Sequence, residues 1–213
     1  MKVKVLFYSL YERFWHWLQA AAVIVLLVTG FEISYASYFS VSGFKTAVNL
    51  HNLAGLILLV NAFLALFYNL ASGLIQRYFP DMNDIFTLGF KHARYYMLGI
   101  FKGQNHPFDK TPEKRLLPLQ KITYFVVLNF LLPVMIVSGG LKYSAEFYPE
   151  LIEAFGGLSI LGPIHRFGGW LFAAFLFLHI YMITTGHSLF SNLISMVTGY
   201  DTVDEPGKEE TSL

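Results

Sequence analysis

His165 and His179 stand 14 residues apart in one apolar stretch. Wound as an α-helix, 14 residues return the second imidazole to within about 40° of the first and carry it roughly 21 Å along the axis. One helix face therefore presents two imidazoles at two depths. His16 and His51 stand near the starts of two other apolar stretches. Neutral imidazole is a strong metal ligand, and an iron porphyrin gripped by two of them has both axial positions filled. Four imidazoles at two depths are the donor set for two bis-histidine haems. A single histidine in such a stretch would instead suggest a hydrogen bond across helices or a proton relay. Four at paired depths do not.

The elements that must carry these histidines are spelled out by composition. Of 213 residues, 55% are hydrophobic and 14% charged, against about a quarter charged in a soluble domain. The apolar excess falls in four runs, about Phe14–Ala36, Leu50–Ser72, Ile122–Leu141 and Pro163–Gly186, each near the ~20 residues a helix needs to cross a bilayer. None alternates polar with apolar residues as a barrel strand would. The expected fold is all-α: an integral membrane four-helix bundle over residues 1–200, with an acidic tail at 201–213. The first run is longer than a signal-peptide core and shows no cleavage pattern, so it is expected to be a retained span. The absence of cysteine excludes disulfides, cysteine-held iron–sulfur clusters and covalent haem attachment. Haem here would be b-type, and any iron–sulfur relay would belong to another subunit. A net charge of +1 argues neither for nucleic acid nor against it; no nucleic-acid partner is expected.

Lysine and arginine set orientation. Lys2, Lys4 and Arg13 precede or open the first run, and Arg77, Lys91, Arg94, Lys102, Lys110, Lys114, Arg115 and Lys121 lie between the second and third. The other two connections hold Lys45, Lys142 and Arg166. An N-in/C-in topology follows, with the long middle loop in the cytoplasm. That topology places His16 and His179 near the inner face and His51 and His165 near the outer face. In the middle loop, Ile85, Phe86, Leu88, Phe90 and Phe101 are mixed with Lys91, Arg94 and Lys102. This predicts an amphipathic helix, lying either in the headgroup region or against the bundle ends. The outward loop Lys142–Gly162 mixes Glu146, Glu150 and Glu153 with Phe147, Tyr148 and Phe155, as a short cap or docking surface would.

A porphyrin is wide and needs small neighbours. Gly55 and Gly169 follow His51 and His165 by four residues, one turn away on the same face. Gly30 lies 14 residues beyond His16, at the depth of the outer pair. Arg13 and Arg166 lie at the two depths where propionates would need cations. Pro133 is expected to kink the third helix, and Gly139–Gly140 to let a neighbour approach it.

Arg13-Phe14-Trp15-His16-Trp17, His51, and His165 with His179 resemble the bacterial cytochrome b561 superfamily. Ala93-Arg94-Tyr95-Tyr96 and Leu119-Gln120-Lys121-Ile122-Thr123-Tyr124 resemble that family's middle loop and third-helix start. More narrowly, the pattern is similar to the dihaem cytochrome b subunits of nickel–iron hydrogenase, formate dehydrogenase and thiosulfate reductase. The resemblance implies an electron conduit in the cytoplasmic membrane of a bacterium or archaeon. It would carry two haem b groups, exchange electrons with menaquinone or ubiquinone near the inner haem, and serve a periplasmic iron–sulfur or multihaem partner that performs the main substrate chemistry. Gln120, Lys121 and His187 are the candidate quinone contacts. Where the family often has an asparagine shortly before Gln120, this chain has Leu116-Leu117-Pro118. Two other readings stand beside this one: a self-contained quinone-linked oxidase of a small species such as superoxide, and a proton-coupled transporter without haem.

Overall fold

The computed structural model describes residues 2–108 and 116–204. Strand β1 (Lys2–Leu6) leads into α1 (Leu10–Ser34), followed by α2 (Phe44–Ala71) and a 3-10 turn at Leu74–Tyr78. A run of π, α and 3-10 turns then forms α3 (84–102). The rest is α4 (Pro118–Ser144), α5 (Pro149–Ala154), α6 (Gly157–Ile183), α7 (Ser191–Thr198) and β2 (Tyr200–Asp204). Helices α1, α2, α4 and α6 are long and apolar enough to cross a membrane. Their outward faces are apolar: Phe63, Phe67, Phe167 and Phe177 are each at least 65% exposed. A soluble bundle would bury such residues; lipid is the solvent that suits them.

The helix limits differ from those of the apolar runs, and at the start of α1 a polar cap sets the limit. The hydroxyl of Ser9 accepts from the Glu12 amide at 3.2 Å, and the Glu12 carboxylate accepts from the Ser9 amide at 2.7 Å. This reciprocal cap starts α1 four residues before Phe14. Helix α2 begins at Phe44 rather than near Leu50, and α6 begins at Gly157 and carries Pro163 within it. Pro133 is also carried within a continuous helix. A π-helical stretch at Val127–Leu131 precedes it and loosens the ladder where the proline ring would crowd a carbonyl.

Helix α1 packs mainly on α2 and α4 on α6, with α1 also touching α6. Ala22, Leu58, Val127, Leu132 and Phe172 form a buried layer across the middle of the bundle. Phe172 is seven residues from both His165 and His179, so this layer lies midway between the two histidine depths.

The two ends of the bundle are closed differently. At one end, β1 pairs antiparallel with β2, Lys2 opposite Asp204 and Leu6 opposite Tyr200. The domain boundary expected at residue 200 thus falls inside a strand, and residues 205–213 of the expected tail lie outside the described residues. Arg13 Nη1 donates to the Val197 carbonyl at 2.7 Å, and Trp17 Nε1 to the Met196 carbonyl at 3.2 Å. A cation and an indole N–H so satisfy the last turn of α7. Helix α3 lies at this same strand end. Its buried side, with His92 and Tyr96, packs inward, and the Tyr181 hydroxyl donates to the Tyr96 carbonyl at 2.9 Å. Phe86, Phe90, Met97 and Phe101 on it remain exposed. The helix therefore packs on the bundle and still presents an apolar face. Lys110, Lys114 and Arg115 lie outside the described residues.

At the far end, Glu32 is 1% exposed. Its carboxylate accepts from the amides of Val41, Ser42 and Gly43 at 2.7–2.9 Å and from the hydroxyls of Ser40 and Ser42. A buried anion so ties the α1–α2 connection to the N-terminus of α2, where the helix dipole favours negative charge. Replacing Glu32 by Ala should strand these donors. The midpoint of thermal unfolding in detergent is expected to fall by several degrees, and less for Glu32→Gln, which keeps one acceptor oxygen.

Candidate functional site

The four histidines come together in two pairs, one near each end. Each pair draws one residue from α6: His16 of α1 faces His179, and His51 of α2 faces His165. The ring centroids are 6.1 Å apart in both pairs, with the planes inclined at 46° and 74°. A metal–imidazole bond is about 2 Å long and a ring nitrogen sits about 1.1 Å from its centroid, so two imidazoles on opposite sides of one metal put their centroids about 6.2 Å apart. The spacing in both pairs matches that value. The only other histidine pair among the described residues does not. His92 and His106 have centroids 5.0 Å apart and Nε2 atoms 3.2 Å apart, which is a direct hydrogen bond.

The far-end pair is built by the same device twice. Nδ1 of His51 lies 2.9 Å from the hydroxyl of Thr29 on α1, and Nδ1 of His165 lies 2.9 Å from the hydroxyl of Ser138 on α4. Thr29 and Ser138 are each 4% exposed. The residue after each is glycine. A Cβ on Gly30 would stand 3.2 Å from Cε1 of His51, and one on Gly139 would stand 3.1 Å from Cε1 of His165. A hydroxyl–glycine dipeptide on the facing helix thus seats each imidazole, the hydroxyl holding the nitrogen and the glycine clearing room for the ring. Sequence reasoning missed Thr29 and Ser138, although a hydroxyl directly before a glycine at a histidine's depth was there to be seen. It placed Gly30 at the right depth but assigned it to porphyrin clearance, whereas its missing side chain makes room for the imidazole itself.

Gly55 and Gly169 behave otherwise. A Cβ on Gly55 would reach only Leu26, at 4.0 Å, and one on Gly169 would meet nothing within 4 Å. Both therefore border open space one turn from His51 and His165, as a flat group beside the rings would require. The close-packed neighbour is Gly168, against Met135.

Among the described residues the strand-end pair has no hydroxyl seat. Nδ1 of His16 is buried without a hydrogen-bond partner among the described residues. Phe175 stacks on His179 at 5.8 Å and 22°, and Trp17 meets His16 edge-on at 5.3 Å. Aromatic packing, not hydrogen bonding, holds these rings.

Three of the remaining candidates have other partners. Arg13 is engaged by the Val197 and Ser9 carbonyls. Gln120 Oε1 accepts from the Leu117 amide at 3.1 Å and caps α4. Lys121 Nζ lies 2.9 Å from the buried Asp84 carboxylate and ties α4 to α3. Arg166 is exposed on α6, and His187 is exposed in the turn after it.

Two paired imidazoles at each of two depths in a membrane bundle form a site that a comparison can test. The sequence matches the family described as prokaryotic cytochrome b561 over residues 7–199. The chain belongs to that family. As a prokaryotic cytochrome b561 it is a multi-pass membrane protein of the haem b, electron-transfer class. It is similar to cytochrome YdhU of Escherichia coli strain K12, 29% identical over 92% of this chain and 74% of the relative. It is also similar to the protein-methionine-sulfoxide reductase subunit YedZ1 of Azospira oryzae, 27% identical over 88% of this chain and 93% of the relative. The matched region spans all four histidines.

Two tests separate structural from functional roles at the strand end of this cytochrome b561. Lys121→Met leaves the Asp84 carboxylate buried without its counter-charge, with the Asp81 amide as its remaining donor, and should cost about 3 kcal/mol. In a double-mutant cycle of unfolding free energies, Asp84→Asn in the same chain should recover part of that loss. His92 is fully buried; burial first, and His106 beside it second, push its imidazole down to about 4. The unfolded chain then binds a proton between about pH 6.5 and 4 that the folded chain does not. Stability should therefore fall as pH drops through that window, and His92→Asn should flatten the profile of unfolding midpoint against pH.

Proposed function

We propose that this chain is a dihaem b-type electron-transfer subunit that links the quinone pool to a redox partner across the membrane. In this reading His51 and His165 hold one haem iron, and His16 and His179 hold the other. The observation that carries it is the 6.1 Å centroid spacing found in both pairs. The open side of Gly55 and Gly169 supports it at the far end.

A haem iron held by His51 and His165, or by His16 and His179, would supply one-electron chemistry, and two histidine ligands would favour electron transfer over oxygen binding. The chain's own residues supply spacing, seating and dryness. Helix α6 holds His165 and His179 roughly 21 Å apart along its axis. Ala22, Leu58, Val127, Leu132 and Phe172 exclude water from the layer between them. The imidazoles, their hydrogen bonds and the local burial tune the potentials.

Charge supports the orientation. Lys4, Arg13, Arg77, Lys91, Arg94, Lys102 and Lys121 gather at the strand end, against Lys45, Lys142 and Arg166 at the other. By the positive-inside rule the strand end faces the cytoplasm, so the His16–His179 pair is the inner one and exchanges electrons with menaquinone or ubiquinone there. The far end then faces the periplasm of a bacterial or archaeal cytoplasmic membrane. Helix α5 there carries Glu150 and Glu153, beside exposed Phe147 and Tyr148, and offers a docking surface for a periplasmic subunit, iron–sulfur or multihaem. The name of YedZ1, a reductase subunit, supports a reading in which a partner performs the substrate chemistry. Gln120 and Lys121, in the first turn of α4, lie at the proposed quinone end.

A pyridine haemochrome assay on the purified full chain should count two b haems. His51→Ala or His165→Ala should remove one, and His16→Ala or His179→Ala the other, as two distinct spectral components. A chain with no haem, or the loss of both haems from every variant, refutes the ligand assignment. Isolation from native membranes should bring down a periplasmic redox subunit; a chain that oxidises quinol or a small species alone would favour the self-contained enzyme.

A further inference from the structure

Thr29 and Ser138 make a second hydrogen bond besides the one to histidine. The Thr29 hydroxyl lies 2.6 Å from the Val25 carbonyl, and the Ser138 hydroxyl lies 2.6 Å from the Val134 carbonyl. Two oxygens this close need a proton between them, and a carbonyl has none to give. Each hydroxyl therefore donates its only proton to the carbonyl four residues back. Toward the imidazole it can only accept. The proton in the 2.9 Å contacts then belongs to Nδ1 of His51 and Nδ1 of His165. In a neutral imidazole the other nitrogen, Nε2, keeps its lone pair free.

We infer that Thr29 and Ser138 are positioning residues that lock His51 and His165 as Nδ1–H tautomers with Nε2 presented to iron, and so lower the potential of that one haem. This rests on the ligand reading proposed above. Donation from Nδ1–H makes an imidazole more basic at its ligating nitrogen. A more basic ligand favours ferric iron, so two such bonds on one iron pull its potential down. The strand-end pair is supported differently: Nδ1 of His16 finds no partner among the described residues, and the rings of His16 and His179 lie against Trp17 and Phe175. The two sites are thus built unequal by their supports although their ligands are the same. The glycines complete the seat. A Cβ at Gly30 or Gly139 would stand 3.2 or 3.1 Å from Cε1, so a side chain there would press on the ring beside the nitrogen that the hydroxyl holds.

The test is a spectroelectrochemical titration of the purified full chain, resolved into two b-type components, with low-spin ferric resonance recorded alongside. His51→Ala identifies which component belongs to the far-end pair. Thr29→Val and Ser138→Ala remove the acceptor while nearly keeping shape. Each should shift the ratio of reduced to oxidised haem in that component several-fold toward reduced, and both together about tenfold, which is 59 mV for one electron. The other component should not move, and haem content should stay at two per chain. The resonance of the affected haem should change shape as its rings gain rotational freedom. Thr29→Ser and Ser138→Thr keep the hydroxyl and should restore the native potential. An unmoved far-end potential at full haem content would overturn the inference. So would an equal shift of both components, or hydroxyl-bearing variants that shift as far as Thr29→Val. If Thr29→Val sheds its haem, retention of that haem with native potential by Thr29→Ser supports the hydroxyl's role, and its loss there too overturns it. A wild-type chain without haem would refute the ligand reading itself, an outcome the haem count distinguishes from all of these.

Discussion

Everything in this bundle depends on the rigidity that lipid imposes on a backbone. No water is present in the hydrocarbon layer to satisfy a stray amide, so each crossing segment must stay helical. A continuous helix converts sequence separation into depth at about 1.5 Å per residue. The 14 residues between His165 and His179 therefore set two levels that no loop could blur. The partners on α1 and α2 meet those levels because their own helices are equally stiff. The buried layer around Phe172 fills the interval between the two levels, so the pairs are separated by packed hydrocarbon and not by solvent.

The two ends show how one ligand type can be given two environments. At the far end, hydroxyl–glycine seats on α1 and α4 hold the rings, and these are the helices that pack on α2 and α6 respectively. Each histidine is thus supported by its nearest helical neighbour. At the strand end, Phe175 and Trp17 hold the rings by contact alone. The far end also holds the buried Glu32 carboxylate, and the strand end the Lys121–Asp84 pair. In both places a charge is kept in a dry setting because several donors, or one opposite charge, surround it. These are structural ties that keep the helix ends, and hence the histidine depths, in place.

Several side chains that chemistry would nominate are occupied elsewhere. Arg13 satisfies the end of α7, Gln120 caps α4 and Lys121 neutralises Asp84. Each stands at a helix terminus, where unsatisfied backbone groups or a neighbour's charge compete for any polar side chain in reach. A residue's type and depth suggest what it can bind, but the helix ends have the first claim on it.

The amino-acid sequence by itself determined the four spans, the two depths of histidine and which histidines share a depth, because lipid thickness and helix rise turn those into arithmetic. It also held the family resemblance, carried by the same histidines. The β1–β2 pairing was not legible, since it joins residues roughly 200 apart with no pattern stronger than that of a polar tail. Nor was the seating of the rings. Thr29 and Gly30 became neighbours of His51 only when α1 and α2 settled at one rotation about their axes, and Ser138 and Gly139 met His165 by the same kind of choice between α4 and α6. Depth is a property of one helix and can be counted along the chain. Rotation and contact are properties of two helices packed together, and only the tertiary structure decided them.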